Sequence, residues 1–200
     1  MPAAKTPDTS AKIMDVAERL VQTRGFNGFS YADIARVLHI TKASLHYHFP
    51  TKAKLGEKLI QRYRGSFLAA LTQIDEEHSD AGSKLRAYVE IYATVLERNR
   101  MCLCGMLAAE YATLPKTMKD ELRDFFDANE VWLVEVLEDG RAKRELSFVG
   151  TAVEYSRVLV AALEGAMLIA RSHGEHFRLR AAANRLLADL GISTADLVNA

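Results

Sequence analysis

Between Thr41 and Lys52 the chain reads TKASLHYHFPTK, which sets two histidines, a tyrosine and a phenylalanine side by side with a lysine near each end. Three chemistries suit such residues: metal ligation, packing, or contact with a polyanion. Metal ligation fails on geometry. His46 and His48 are two residues apart, and on a helix such residues point to nearly opposite sides, with no cysteine or acid nearby. Packing remains open for one histidine of the pair. Phosphate contact accounts for the whole set, because imidazole N–H and phenol O–H groups donate to phosphate oxygens and Lys42 and Lys52 add positive charge. Lys52 also falls in the first turn of a following helix, whose amides favour an anion. A second candidate chemistry lies at Cys102 and Cys104, the two cysteines of the chain. Arg98 and Arg100 precede them and a helix is expected to begin there, a setting that stabilises a thiolate. The alternative is a pair of inert buried thiols.

The elements that must position these groups read as helices throughout. Ile13, Val16, Ala17, Leu20 and Val21 recur at helical spacing after Thr9 or Ser10, and Gly25 ends the run. Ser30 caps a short second helix with Ile34, Ala35 and Leu38 inward; a tight turn at His39–Thr41 leads into a third over Lys42–Phe49, which ends at Pro50. Two short helices joined by a three-residue turn make helix-turn-helix geometry, in which the second helix enters the DNA major groove. Ile34, Leu38, Ile40, Leu45 and Phe49 would lock the pair, leaving Lys42, Ala43, Ser44, His46, Tyr47 and His48 to face outward.

A long fourth helix follows from Thr51 to about Ile74, then helices over Lys84–Asn99, Cys104–Ala112, Lys116–Glu138 with Gly140 as its stop, Thr151–His173, and Phe177–Leu190. The expectation is an all-α chain of about nine helices: a helix-turn-helix DNA-binding domain at 1–55 and a helical ligand-sensing and dimerisation domain at 56–200.

Composition agrees. With 200 residues and 49% apolar content, a substantial core is possible. Net charge is zero, yet residues 1–64 hold eleven Lys and Arg against five Asp and Glu, and the remainder holds fifteen against twenty-one. A basic first third suits an anionic partner. No secretory signal follows the opening residues, and the run Val158–Ala170, which contains Glu164, is too short to cross a bilayer, so a cytoplasmic protein without membrane contact is expected. A Gly-rich phosphate loop, a G-x-S-x-G elbow and an H-E-x-x-H pattern are lacking, so catalysis is not expected. The competing non-enzymatic reading is an all-helical interaction module that offers its basic third to a protein or membrane surface. No cofactor and no metal are expected.

The stretch FSYADIARVLHITKASLHYHFPTKAKL resembles the N-terminal domain of TetR-type transcriptional regulators. The resemblance covers residues 10–60 and is carried by Gly25, Phe29, Asp33-Ile34-Ala35, Ile40, Ser44-Leu45, Tyr47, Phe49, Lys52 and Leu55. It implies an all-helical homodimer that binds a double-stranded DNA operator and a small-molecule effector. By position it places Ser30 and Tyr31 at the DNA backbone, Thr41, Lys42, Ala43 and Ser44 at base edges, and His46, Tyr47, His48 and Lys52 at phosphates. The chain departs from the family pattern at His39, where glycine is common, and at His46, where tyrosine is more usual. Histidine tolerates a left-handed backbone better than most residues.

The segment RMCLCGMLAAEY is similar to a TetR-type subgroup that responds to electrophiles and oxidants through a cysteine, which points to Cys102, with Cys104 as the alternative. Tyr92, Cys102, Met106, Glu110, Tyr111, Phe125, Asn129 and Trp132 are the candidate effector-binding residues, Glu110 and Asn129 being the polar groups that would orient a ligand. VLVAALEGAMLIA, apolar on every side, must be covered all round. Ala162, Gly165 and Ala166, with Leu179, Ala183, Leu186 and Leu190 of the last helix, are the candidate dimer face; a monomer that buries both helices internally is the alternative.

Overall fold

The computed structural model describes residues 9–193. Among them are α1 (Thr9–Arg24), α2 (Tyr31–Leu38), α3 (Lys42–His48), α4 (Lys52–Glu77), α5 (Ala81–Glu97), α6 (Leu103–Ala109), a 3-10 turn at Tyr111–Thr113, α7 (Lys116–Ala142), α8 (Ala152–His173) and α9 (Phe177–Asp189). The described residues contain no strand, and no described helix is long and apolar enough to cross a membrane.

Local chemistry sets the ends. Asp33 starts α2: its carboxylate accepts from both the backbone N–H and the hydroxyl of Ser30, each at 2.8 Å. These bonds hold the Asp33 carboxyl below its ordinary pKa. His39 ends α2 in the left-handed region, at φ 53° and ψ 42°, so the turn that favours glycine forms with histidine instead. Thr41 caps α3, its hydroxyl oxygen accepting from Ser44 N–H at 3.1 Å. Thr151 and Glu154 form a reciprocal cap on α8, and Gly174 closes that helix at φ 68°.

Gly140 departs from its expected role. It does not stop α7, which runs on to Ala142. A Cβ at this position would lie 2.6 Å from the Ala81 Cβ and 2.7 Å from Leu146 Cδ1. The glycine is there for close approach, not for termination.

The helices form two compact units that are not consecutive stretches. The first takes the described residues to Arg64 together with Leu103–Arg123; the second takes Gly65–Cys102 and the described residues from Asp124 onward. In the first, α1 packs on α2 and α6, and α2 on α3. Its core is Ile13, Ala17, Val21, Ile34, Leu45, Leu55 and Ile60, with Phe26, Phe29 and Phe49 around them. In the second, α5, α8 and α9 pack mutually around Leu85, Tyr88, Leu96, Leu163, Met167 and Leu179.

Candidate nucleic-acid interface and buried thiol cluster

In the first unit, the α2–α3 pair is anchored from below and open above. Leu45 is fully buried and Phe49 nearly so. Leu38 and Ile40 are half-buried at the edge. Thr41, Lys42, Ala43 and His46 are exposed, Ser44 and His48 are half-buried, and Tyr47 is 84% exposed. Held in water near the end of a two-turn helix, the Tyr47 ring and hydroxyl are free to meet a partner. Tyr47 lies edge-on to His48, with ring centroids 5.2 Å apart. His46 Nδ1 is 3.1 Å from the Pro50 carbonyl. The carbonyl can only accept, so that bond puts a proton on Nδ1. Ser30 is exposed, its hydroxyl directed to Asp33.

Two expected phosphate contacts are structural instead. Tyr31 is buried, its hydroxyl donates to the Phe49 carbonyl at 2.7 Å, and burial pushes its pKa up to about 12. It ties α2 to the end of α3. Lys52 donates to the carbonyls of Phe26 and Phe29. Its ammonium sits 4.5 and 4.3 Å from the centroids of those two rings. Burial lowers its pKa, against the opposing charges of Glu110 and Asp33. A long stem lets lysine reach backward into the loop after α1 and satisfy carbonyls there, and that use competes with reaching out to DNA.

Lys54 and Lys58, spaced i,i+4 along α4, are exposed cations that sequence reasoning left out of the interface. Lys54 pairs with Glu57 and Lys58 with the Gln61 amide. With Ser10, Met14, His48, Phe49, Pro50 and Arg62 they line a groove of about 660 Å³. Their spacing was the signal available for finding them.

The eight candidate effector residues divide between the units. Glu110 belongs to the first: its carboxylate accepts from Phe26 N–H at 2.6 Å and Asn27 N–H at 3.3 Å, so it closes the loop after α1. A Cβ on Gly25 would lie 2.6 Å from the Glu110 carboxylate, and the positive φ of 81° also favours glycine there. Tyr111 is 46% exposed beneath Lys119, and Met106 is half-buried. These three are not part of the buried cluster.

Tyr92, Cys102, Phe125, Asn129 and Trp132 all lie buried in the second unit. Tyr88 hydroxyl donates to Asn129 Oδ1 at 2.8 Å, and Asn129 Nδ2 donates to the Tyr92 hydroxyl at 3.3 Å. With the Tyr88 proton committed, the 3.1 Å contact between the two phenols takes the Tyr92 proton. A closed ring of three hydrogen bonds results, in which every phenol proton is used. Burial raises both phenol pKa values. Trp132 stacks on Tyr88 at 5.6 Å and donates its indole N–H to Asp75 at 2.8 Å. Phe67 meets Tyr88, Tyr92 and Phe125 edge-on. Sequence reasoning missed Tyr88 and Phe67 as members, since an aromatic at core spacing carries no sign of its polar partner.

Glu164 of α8 joins this cluster. Its carboxyl shares a hydrogen bond with the Cys102 thiol, and burial pushes its pKa up to about 7. Its Oε1 is buried without a hydrogen-bond partner. Both cysteines are thiols and both are buried: Cys102 is 3% exposed and Cys104, in the first unit, 0%. Among the described residues no group of histidine, cysteine and acid side chains could hold a metal ion.

On the candidate dimer face, Leu179, Ala183 and Leu190 are buried within the chain itself at 0%, 1% and 0% exposure. They pack inward, and the face they were expected to supply is not available to a partner. Ala162, Gly165, Ala166 and Leu186 are half-buried. Next to them on α8, Val158 is 50%, Leu168 46% and Ile169 53% exposed. Val158, Ala162, Gly165 and Ile169 form one stripe at helical spacing.

Residues 13–59 match the family model for bacterial regulatory proteins of the tetR family. The crystal structure of a TetR-family transcriptional regulator from Agrobacterium tumefaciens is 36% identical, covers 90% of this chain and 96% of that one, and superposes with a TM-score of 0.88. A TetR transcriptional regulator from Legionella pneumophila is 29% identical, covers 95% and 100%, with a TM-score of 0.83. The HTH-type transcriptional repressor NemR of Escherichia coli strain K12 is 25% identical over 170 residues, 82% of this chain and 84% of that protein.

Proposed function

The chain belongs to the TetR family of transcriptional regulators, and from that premise we propose that it is a repressor which binds an inverted-repeat operator as a homodimer and is released by a small hydrophobic or thiol-reactive effector. The single observation behind DNA binding is α3: apolar on the buried side at Leu45, and on the other presenting Thr41, Lys42, Ala43, His46 and Tyr47 to solvent. That helix enters the major groove from its N-terminal end. Lys42 reads a base edge, with guanine O6 and N7 as its natural acceptors. Ser30, Ser44, His46, Tyr47 and His48 hold the register on bases and phosphates. A symmetric pair of chains presents two such helices roughly 34–36 Å apart or somewhat further.

The DNA-binding domain is taken as residues 1–55 and the sensing and dimerisation domain as 56–200. In the latter, the buried cluster around Tyr92, Cys102, Phe125, Asn129 and Trp132 receives the effector. Support for a repressor comes from the likeness to NemR, itself named a transcriptional repressor. Release requires the effector to favour the arrangement that does not fit the operator. The α4 helix, which supplies residues to both units, carries the change.

Selection of bound sites from random duplex DNA tests the proposal. The expected outcome is an inverted repeat whose affinity falls steeply with salt. Lys42→Ala is expected to cost about 1–3 kcal/mol and to relax preference at one symmetric pair of positions, while Tyr47→Phe weakens all sequences alike. A single asymmetric site, or affinity flat in salt, defeats the reading.

A further inference from the structure

We propose that His46 makes operator binding proton-linked: the phosphate it meets is held only by the doubly protonated ring, so binding takes up a proton and weakens as pH rises. This deepens the DNA-binding reading, naming a regulation of that same interface, and rests on it.

One hydrogen bond carries the inference. His46 Nδ1 lies 3.1 Å from the Pro50 carbonyl. A carbonyl offers no proton, so in the neutral ring the single N–H belongs to Nδ1 and Nε2 holds a lone pair. A phosphate oxygen is also an acceptor, and two acceptors do not bond. Among the described residues Nε2 has no hydrogen-bond partner, and the residue is exposed. An unrestrained imidazole would escape by moving its proton to the other nitrogen. Here that exchange would set a bare Nδ1 against the Pro50 carbonyl. The Tyr31 ring, tilted against His46 with centroids 4.9 Å apart, opposes a rotation of the imidazole. Adding a proton keeps the bond to Pro50 and gives Nε2 a hydrogen to donate.

The groups around His46 leave that choice to the DNA. From α2, the Tyr31 hydroxyl donates to the Phe49 carbonyl, and burial pushes its pKa up to about 12, so it stays neutral. Asp33 of α2 is taken by Ser30 and lies 3.4 Å from Arg36. On α3 itself, Lys42 stands one turn earlier and His48 two residues later. On α4, Lys52 is turned onto the carbonyls of Phe26 and Phe29, Lys54 pairs with Glu57, and Lys58 with the Gln61 amide. Among the described residues no carboxylate forms an ion pair with His46. The anion that favours its charged form is therefore the phosphate. Histidine is the side chain that changes charge between pH 5 and 8, and a phosphodiester stays charged throughout. The sign follows: the contact is present in full at the acidic end of that range and is lost as pH rises through it.

The test uses the full chain and a duplex site obtained by selection from random DNA. Affinity is measured from pH 5.5 to 8 at constant salt, and the salt slope at both ends. For the parent, affinity is expected to fall about tenfold per half-site across the range, on the order of a hundredfold for the symmetric site. The salt slope should be steeper in acid by about 0.9 per chain. His46→Gln, whose amide donates without titrating, should be flat in both measurements, while His48→Gln keeps the parent's dependence. Ring-nitrogen NMR of the free protein at pH 8 should show the proton of His46 on Nδ1. A parent profile flat in pH, with DNA still bound, overturns the proposal and leaves the regulator reading intact. So does a dependence that survives in His46→Gln, since another group then carries the proton, and so does a proton found on Nε2. Binding to no duplex at any pH overturns this proposal and the DNA-binding reading together. Should His46→Gln fail to fold by circular dichroism, His46→Ala decides the matter: a flat profile at the parent's alkaline affinity supports the proposal, and the parent's dependence overturns it.

Discussion

At the level of single residues, the interface divides into side chains that present themselves and side chains that hold the presenters in place. Tyr47 and Lys52 lie five positions apart and were equivalent on sequence grounds, as polar groups flanking one basic stretch. Tyr47 stands in solvent, whereas Lys52 turns back to the carbonyls of Phe26 and Phe29 between their two rings. Two uses of one lysine give opposite outcomes on substitution. A phosphate contact would change the salt slope and leave the fold alone. A carbonyl clamp does the reverse, because two partly buried carbonyls lose their donor. Lys52→Gln is therefore expected to cost about 1–3 kcal/mol of stability, read as a lowered denaturant midpoint. The slope of log affinity against log salt should stay the same for the fraction that remains folded. A slope smaller by about 1 per chain with stability unchanged would return Lys52 to the DNA.

At the level of elements, periodicity located every helix among the described residues to within a few residues, because each amphipathic run carries its own 3.6-residue signal and its own caps. The helix-turn-helix pair was legible for the same reason, and His39 takes the left-handed turn expected of it. What stayed hidden was direction. The Val158–Ala170 run of α8 was read as apolar on all sides, so the sequence cannot say which stripe its own chain covers. Leu179 and Ala183 of α9, and Leu190 just past its end, were assigned to a partner and are buried at home. Pairing between distant residues was equally silent: nothing in the local sequence tells Glu110 to cap the loop at Phe26, or Glu164 to meet Cys102. Gly140 shows how a correct local rule misleads. Glycine near a helix end reads as a stop, but here it admits Ala81 and Leu146 to the α7 backbone. Helix propensity favours alanine over glycine by about 1 kcal/mol. The added methyl would meet side-chain carbons of its neighbours at 2.6 and 2.7 Å. Overpacking of that kind costs about 1–3 kcal/mol. Gly140→Ala is thus expected to destabilise, against its propensity, and a raised melting temperature would show that the neighbours yield freely.

At the level of the whole molecule, zero net charge conceals a basic first third and an acidic remainder, so attraction to DNA and solubility are carried by different parts of one chain. Affinity from one lysine and its polar neighbours on a two-turn helix is modest for one copy; two copies joined rigidly bind as one, at the effective concentration their linkage sets. The proposed linkage is the stripe of Val158, Ala162, Gly165 and Ile169, whose two ends are 50% and 53% exposed in the single chain. Small residues at its centre allow a second helix to approach closely, and a Cβ added at Gly165 meets nothing within 4 Å in the chain itself, so the space beside it is open. Ile169→Glu places a carboxylate in that contact twice, once from each chain, without touching the chain's own core. The expected result is a folded monomer by light scattering at concentrations where the parent is a dimer. With it goes the gain from binding both half-sites, so operator affinity should fall by at least a hundredfold and the salt slope should halve, because each bound unit then neutralises half as many phosphates. A variant that remains dimeric, or a monomer that binds the full operator with the parent's affinity, would show that α8 does not join the two copies.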